Sequence, residues 1–279
     1  MARQNFFERM EREIDFHQEY VKIEKIVLNE PGDGDASIND EILRYFRHWR
    51  DRGNYTSFQE LRQHLGFEYY KDPKIAWKYI PDGKVAGIED FLLYCEMLLN
   101  LLMNLIDKYA NQDNKERAKV IIDTMVYDFE LINYEISRLD EDRIIVVQKN
   151  VASSAVADIV EPNLGDAIIK YNHHLLKGDL EGKKDILKKI ADALEPKRSD
   201  LKIADKTIEN DFFYLVNNMN IRHNNCDKSD VGRYNDKFAS LSVREKKEWY
   251  DLIYQEGLMA FLSLEHVKRS KKIAAFKKI

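Results

Sequence analysis

The sequence predicts an all-α protein, with an up-and-down four-helix bundle in the C-terminal half and a helical accessory domain before it. The 279 residues include only 5 prolines and 11 glycines, and 33% of them are charged, a composition that favours helices with charged surfaces. Apolar residues recur at helical spacing through most segments. One short stretch, residues 142–149, has the β-branched run of a strand, so we expect at most a small β element there.

The first quarter of the chain divides into helices separated by turn-forming residues. Residues 1–30 have the apolar periodicity of one amphipathic helix, which the turn-rich stretch "EPGDGDAS" ends. A second helix is predicted from Ser37 to Gly53, and a third begins at Ser57, where a glutamate three residues on completes a capping box. The aromatic, proline-containing segment 67–87 is expected to be a structured loop.

The most apolar segment is Phe91–Ile106, which is shorter than the roughly 20 residues that a membrane-spanning helix needs. Glu96, Asn100 and Asn104 interrupt it at a spacing of four residues, so they lie on one stripe of a helix. We therefore predict a buried central helix over 88–110, whose polar stripe faces water or a partner. No membrane association is expected.

The middle of the chain contains the predicted strand and the predicted domain boundary. A long amphipathic helix is expected over 115–139, and the β-branched run Ile144–Val147 follows between charged flanks. The stretch 151–165 consists of small residues followed by a proline and a glycine, which is typical of a joint between domains. The predicted division is an accessory or sensor domain of residues 1–150 and a helical bundle of residues 163–279.

Four helices are predicted in the C-terminal half. They cover residues 166–176, 177–198 and 205–218, and the last begins at Ser242, with a capping-box glutamate three residues later. Short polar loops join them, which is typical of an up-and-down bundle.

The two halves of the chain carry opposite net charge. Residues 1–162 contain 21 Lys and Arg against 31 Asp and Glu, whereas residues 163–279 contain 23 against 18. An acidic first half argues against a general nucleic-acid coat, and it allows the possibility that this half mimics nucleic acid or inhibits the second. The tail Lys268–Ile279 has six basic residues and no acid. It could grip a phosphate backbone, or it could only keep a helix end soluble and complement its dipole.

Metal and cofactor chemistry is not predicted. The seven histidines lack zinc-ligand spacing, and no phosphate-binding glycine loop occurs. Cys95 and Cys226 are far apart in sequence, so no disulfide framework is expected, and the N-terminus lacks the apolar core of a signal peptide. A reducing cytoplasm is the expected location.

The stretch "NNMNIRHNN", residues 217–225, is the candidate for chemistry. Cleavage of RNA by its own 2′-hydroxyl needs an acid, a base and a cation on the phosphate. His223 can serve as acid or base, and Arg222 can bind phosphate oxygens. Asn218 can orient the phosphate or the imidazole. The same side chains could equally satisfy the free backbone groups of a helix terminus.

The segment of residues 163–265 resembles the C-terminal domain of bacterial abortive-infection proteins, which belong to the HEPN superfamily. The "IRHNN" turn and the "EWYDLIYQ" helix carry the resemblance. It implies a four-helix bundle that forms a homodimer, with arginine–histidine motifs facing each other across the interface. Many such domains are metal-independent ribonucleases of phage-defence or toxin–antitoxin systems.

One departure from the HEPN pattern concerns the spacing of the motif. The histidine usually follows the arginine by about five residues, whereas His223 follows Arg222 directly. Either the site is built differently, for example with His223 from the opposite protomer, or the fold has lost nuclease activity. The leading hypothesis is an RNA-cleaving phage-defence effector, with Asn218 and Asn224 positioning the catalytic pair and a trigger or antitoxin partner at the first domain. The alternative is a non-catalytic helical module that binds a partner protein or a nucleotide.

Overall fold

The computed structural model describes residues 14–29, 36–67, 87–108, 112–139 and 143–278. The expectations for residues 1–13 and for the aromatic loop between 68 and 86 lie outside these ranges. The described chain is mostly helical with one small two-stranded sheet, which confirms the predicted fold class. The chain divides into two compact units, residues 1–146 and residues 147–279.

The N-terminal unit consists of helices followed by the sheet. Its elements are α1 (Phe16–Leu28), α2 (Ile38–Tyr45), α3 (Phe58–His64), α4 (Ile88–Lys108), α5 (Gln112–Leu131), β1 (Tyr134–Arg138) and β2 (Ile144–Gln148), the last of which continues past the division between the units. The two strands pair with each other. α4 is the centre of this unit, since α1, α2 and α5 all pack against it.

Local signals explain where the N-terminal helices begin and end. The Ser37 hydroxyl accepts a hydrogen bond from the Asp40 amide at 3.1 Å, and the Asp40 carboxylate accepts one from the Ser37 amide at 3.0 Å, so α2 begins with a capping box. α2 ends at Tyr45, and two short 3₁₀ turns replace the helix predicted to continue to Gly53. The predicted extension of α5 to residue 139 is wrong, because Asn133 has a φ of +61° and β1 follows.

The polar stripe of α4 holds the strand β2. The Asn100 amide donates to the carbonyl of Ile144 at 2.8 Å and its oxygen accepts from the Ile144 amide at 2.9 Å, while the Glu96 carboxylate accepts from the Val146 amide at 2.7 Å. The prediction that this stripe faces water or a partner is therefore wrong for these two residues: they bind backbone groups that would otherwise lack partners. Within the described ranges, no helix has the length and apolarity of a bilayer span.

A buried ion pair joins three helices of the N-terminal unit. Arg62 of α3 donates to the Glu24 carboxylate of α1 at 2.8 Å, and the Tyr94 hydroxyl of α4 donates to the same oxygen at 2.5 Å. All three residues are buried. A buried charge pair is tolerated only where further hydrogen bonds satisfy it, and the Tyr94 hydroxyl provides one such bond.

The C-terminal unit is a helical bundle around its last helix. Its elements are α6 (Val151–Ala157), α7 (Pro162–Lys170), α8 (Leu180–Leu194), α9 (Arg198–Ala204), α10 (Lys206–Asn218), α11 (Asp236–Ala239) and α12 (Val243–Phe276). The stretch predicted to be a joint thus forms α6 and the start of α7. α6, α8, α9 and α10 all pack on α12. At Gly257 of α12, an added Cβ would lie 2.8 Å from Ile190 and 3.2 Å from Phe212, so this crossing needs a glycine.

The protonation of Asp128 in α5 should make the stability of the N-terminal unit depend on pH. Burial is the main cause that raises the pKa of Asp128 to about 6. The negative charge of the nearby Glu19 carboxylate adds to the shift, and the positive charge of Lys22 opposes it. The folded chain therefore keeps a proton that the unfolded chain releases above about pH 4. The free energy of unfolding should fall as pH rises from about 4 to 6, by roughly 1–2 kcal/mol after solvent screening.

Asp128→Asn should remove this component of the pH dependence, which denaturant titrations of both proteins at several pH values would measure. Asp123→Asn, an exposed position on the same helix, is the matched control and should leave the dependence as in the wild type. Identical pH profiles for wild type and Asp128→Asn would contradict the account.

Candidate functional site

The asparagine-rich stretch forms the turn that follows α10. Asn220 has a φ of +61°, a left-handed conformation that asparagine adopts more readily than most residues. Its amide donates to the Asn225 side-chain oxygen at 2.8 Å, and the Asn225 amide group donates to the carbonyl of Arg233 at 2.6 Å. Asn225 is 2% exposed. These contacts close the turn, which is a structural role for two of the five asparagines.

A further asparagine outside the predicted cluster closes the other side of the turn. The Asn235 side chain donates to the carbonyl of Asn218 at 2.9 Å, and its oxygen caps α11 by accepting from the Phe238 amide at 3.2 Å. The Asn218 side chain donates to the carbonyl of Tyr214 at 2.8 Å, within its own helix. The last turn of α10 is therefore satisfied by side chains, as expected of a helix terminus in a loop-rich region.

Arg222 is bound to the C-terminal end of α8. Its guanidinium donates to the Glu195 carboxylate and, at 2.9 Å, to the carbonyl of Ala191. A second carboxylate oxygen, from Asp192, lies 4.0 Å away, and the guanidinium lies over the Phe213 ring at 5.6 Å. The side chain is only 17% exposed. A guanidinium near the last carbonyls of a helix also complements the helix dipole.

His223 and Asn224 are the more accessible members of the predicted site. The imidazole of His223 is partly buried and, within the ranges that the structure describes, forms no hydrogen bond or ion pair. Asn224 is exposed. No hydrogen bond joins any two of the side chains of Asn218, Arg222, His223 and Asn224. The structure thus places Asn218 at the end of α10 and the other three residues in the turn that follows, without assembling the four into a hydrogen-bonded site.

The electrostatics around Arg222 limit what it can bind. A phosphate that approached the guanidinium would meet the Glu195 and Asp192 carboxylates, and like charges at such distances repel. Two of the five guanidinium donors are already used, and the unpaired Nε is buried away from an approaching ligand. In one chain, Arg222 is therefore suited to fastening the turn to α8 and is poorly suited to holding a phosphate.

The sequence analysis missed a polar cluster centred on Tyr254 of α12. The Tyr254 hydroxyl donates to the carbonyl of Ile168 at 2.7 Å and contacts the Ser153 hydroxyl at 2.7 Å. The Asn172 side chain donates to the Tyr254 oxygen at 3.0 Å. The Tyr254 ring stacks on Tyr171, with centroids 3.9 Å apart and planes 7° apart. One side chain therefore joins α6, α7 and α12.

The same cluster continues to the surface through Asp251. The Asp251 carboxylate accepts from the Tyr171 hydroxyl at 3.0 Å and from the Lys183 ammonium, which also lies 4.6 Å from the Tyr171 ring centroid. Burial lowers the pKa of Lys183, although the hydrogen bond and the charge of Asp251 oppose that shift. Burial also raises the pKa of Tyr254 to about 12, so its hydroxyl stays protonated and can donate.

A signal for this cluster is present in the segment "EWYDLIYQ". Tyr250 and Tyr254 are four residues apart on the apolar stripe of α12, and a buried tyrosine needs a partner for its hydroxyl. The partners of Tyr254 could not be named from the sequence, because Ser153 lies in the stretch that was predicted to be a joint.

Tyr254→Phe should destabilise the C-terminal unit by about 1–3 kcal/mol, because the Ser153 and Asn172 side chains and the Ile168 carbonyl each lose a hydrogen-bond partner. Thermal or denaturant unfolding measures this change. Tyr214→Phe is the control, since Tyr214 is 61% exposed, and its effect should be close to zero. Equal stabilities for wild type and Tyr254→Phe would contradict the assigned role.

Comparison of the chain with known protein families, with curated proteins and with solved structures gives no match. The resemblance to the HEPN superfamily stays a prediction that depends on the turn after α10 and on α12.

Proposed function

We propose that the chain is a non-catalytic helical binding module. The turn that contains the asparagines, Arg222 and His223 then has a structural role, which is to hold this part of the chain against the end of α8. The observation that carries the proposal is the environment of Arg222. Its guanidinium is bound by the Glu195 carboxylate and the Ala191 carbonyl and is mostly buried. A phosphate-binding arginine needs free N–H groups and an environment without opposing carboxylates. Arg222 lacks the second condition, because the Glu195 and Asp192 carboxylates lie beside it, and its unpaired Nε is buried.

A second candidate function is a homodimeric, phage-defence endoribonuclease that acts on RNA. One observation favours it: the His223 imidazole is accessible and has no hydrogen-bond partner in the part of the chain that the structure describes. An imidazole can both donate and accept a proton. In this hypothesis two copies associate through the C-terminal bundle, His223 acts with groups of the other copy, and a trigger or antitoxin binds the N-terminal unit.

We place both candidate functions in the cytoplasm. Cys95 and Cys226 are free thiols, as a reducing compartment would keep them.

Incubation of the purified full chain with total RNA in EDTA separates the two functions. We expect the RNA to stay intact with wild type, because no assembled acid–base pair accompanies Arg222. Gel electrophoresis of the RNA over time is the measurement.

Three variants show which residues are responsible for any cleavage that is observed. His223→Ala and Arg222→Ala remove the predicted catalytic groups, and His266→Ala changes an exposed histidine on α12. Cleavage by wild type and by His266→Ala that falls about a hundredfold or more in His223→Ala would overturn the non-catalytic proposal and support the nuclease. Cleavage that is equal in all variants would rule out Arg222 and His223 as the catalytic groups.

A further inference from the structure

A cleft lies between α9 and the last third of α12 in the C-terminal unit. Its volume is about 300 Å³, at the lower end of the range for ligand sites. Its wall includes apolar side chains, among them Leu264 and Ile203, and Ile203 is 82% exposed. A single exposed isoleucine is common on protein surfaces, so the apolar character of this place comes from Ile203 together with Leu264 and Phe261. The cleft therefore offers an apolar surface that can receive a ligand.

Lysines and carboxylates surround this cleft. Lys197, Lys268 and Lys271 line it, together with Asp200 and Glu265. Glu265 is already neutralised by ion pairs, since its carboxylate lies 3.6 Å from Lys268 and 3.1 Å from an arginine one residue on. Lys271 has no carboxylate partner in the described part of the chain. Three lysines and two carboxylates give the lining a net charge of +1, which weakly favours an anionic ligand, and Asp200 can accept a hydrogen bond.

The basic end of α12 extends this positive surface beyond the cleft. From residue 268 to Phe276 the helix continues with every side chain exposed. It is about 14 Å long at 1.5 Å per residue, which matches several phosphates along one strand. Lys268, Lys271 and Lys272 repeat at spacings of three and four residues; Glu265 pairs with Lys268, and an anion beside Lys271 and Lys272 would reduce the repulsion among the like charges.

We propose that this cleft and the basic end of α12 bind single-stranded nucleic acid, with one unpaired base in the cleft and the neighbouring phosphates on the lysines. The inference deepens the proposed binding function and rests on it. An apolar pocket for a base beside a positively charged track is the general arrangement of single-strand binding sites. Asp200 can accept a hydrogen bond from a base amino group, and this role would explain why a carboxylate lies among the lysines.

An anionic membrane is the competing partner, because Ile273 and Phe276 are 53% and 77% exposed on the same helix end. A lipid surface would contact this helix end alone, since a planar surface cannot enter a concave cleft. The joint presence of a cleft and a lysine track favours a strand that can place a base in one and its backbone along the other.

Fluorescence anisotropy with a labelled single-stranded RNA of about 12 nucleotides tests the proposal on the full chain. The affinity should fall steeply as salt rises, and Lys271→Glu with Lys272→Glu should weaken it about tenfold or more. The control is Lys188→Glu with Lys189→Glu, the same change of charge at exposed positions of α8, which should alter it by no more than about twofold. Equal losses in both pairs would overturn the site.

A separate pair of variants tests the cleft independently of the basic end of α12. Ile203→Asp should weaken binding about tenfold, since it removes apolar contact and adds a charge that repels phosphate. Val231→Asp is its control, because Val231 is 86% exposed and lies away from the cleft lining. Both wild-type residues are exposed, so neither variant should unfold the protein, and circular dichroism checks this. An unchanged affinity for Ile203→Asp would overturn the base pocket.

Three further ligands distinguish the partners. A duplex of the same sequence should bind more weakly than the single strand, and equal or tighter binding would overturn the proposal. Adenosine monophosphate should not displace the strand at equimolar concentration, and if it did, the ligand would be a free nucleotide. Binding to vesicles of phosphatidylserine and phosphatidylcholine, without binding to the strand, would assign the surface to membranes.

The outcome for the RNA itself separates this inference from the proposed function. Strand that is bound and stays intact supports both. Strand that is cleaved, with cleavage lost in His223→Ala, overturns the non-catalytic function, while the lysine variants still decide the binding site. Strand that is neither bound nor cleaved overturns only the nucleic-acid inference.

Discussion

The hydroxyl of Tyr254 is the contact on which the C-terminal unit most depends. A long central helix can slide or rotate against its neighbours when only apolar contacts hold it. The hydrogen bond that Tyr254 donates to the carbonyl of Ile168, its hydrogen bond with the Ser153 hydroxyl and the stacked ring of Tyr171 fix the register of α12 against α6 and α7. Gly257 then allows close packing on α8 and α10. The positions of the cleft and of the turn after α10 follow from this arrangement.

The turn after α10 shows how the same side chains can suggest catalysis in a sequence and fasten a fold in a structure. Arginine, histidine and asparagine are the residue types that RNA cleavage uses, and they also satisfy helix ends. The partners decide between the two roles. Arg222 has Glu195 and the end of α8 as partners, and Asn225 has backbone groups. The end of α12 beside the cleft carries lysines, Lys271 among them, that form no ion pair in the described part of the chain.

The sequence predicted the helical class, most of the helix starts and the short strand at residues 144–148, because caps and apolar periodicity are local properties. It did not predict β1. The turn before this strand needs a left-handed backbone conformation at Asn133, and no glycine in the sequence marks that position. Glu96 and Asn100 looked like a solvent stripe because their partner, β2, is 44 or more residues away. Arg222 was identified as important, but its partner Glu195 is 27 residues away, and such pairings are not visible in local patterns.

A double-mutant cycle between Arg222 and Glu195 tests the central claim most directly. The free energy of unfolding is measured for wild type, Arg222→Ala, Glu195→Ala and the double variant. A structural pair predicts a coupling of roughly 0.5–1 kcal/mol, reduced from a buried value because the Glu195 side chain is 46% exposed. Additive effects, with a coupling of zero, would contradict the claim that Arg222 fastens the turn to α8 and would leave it free for phosphate.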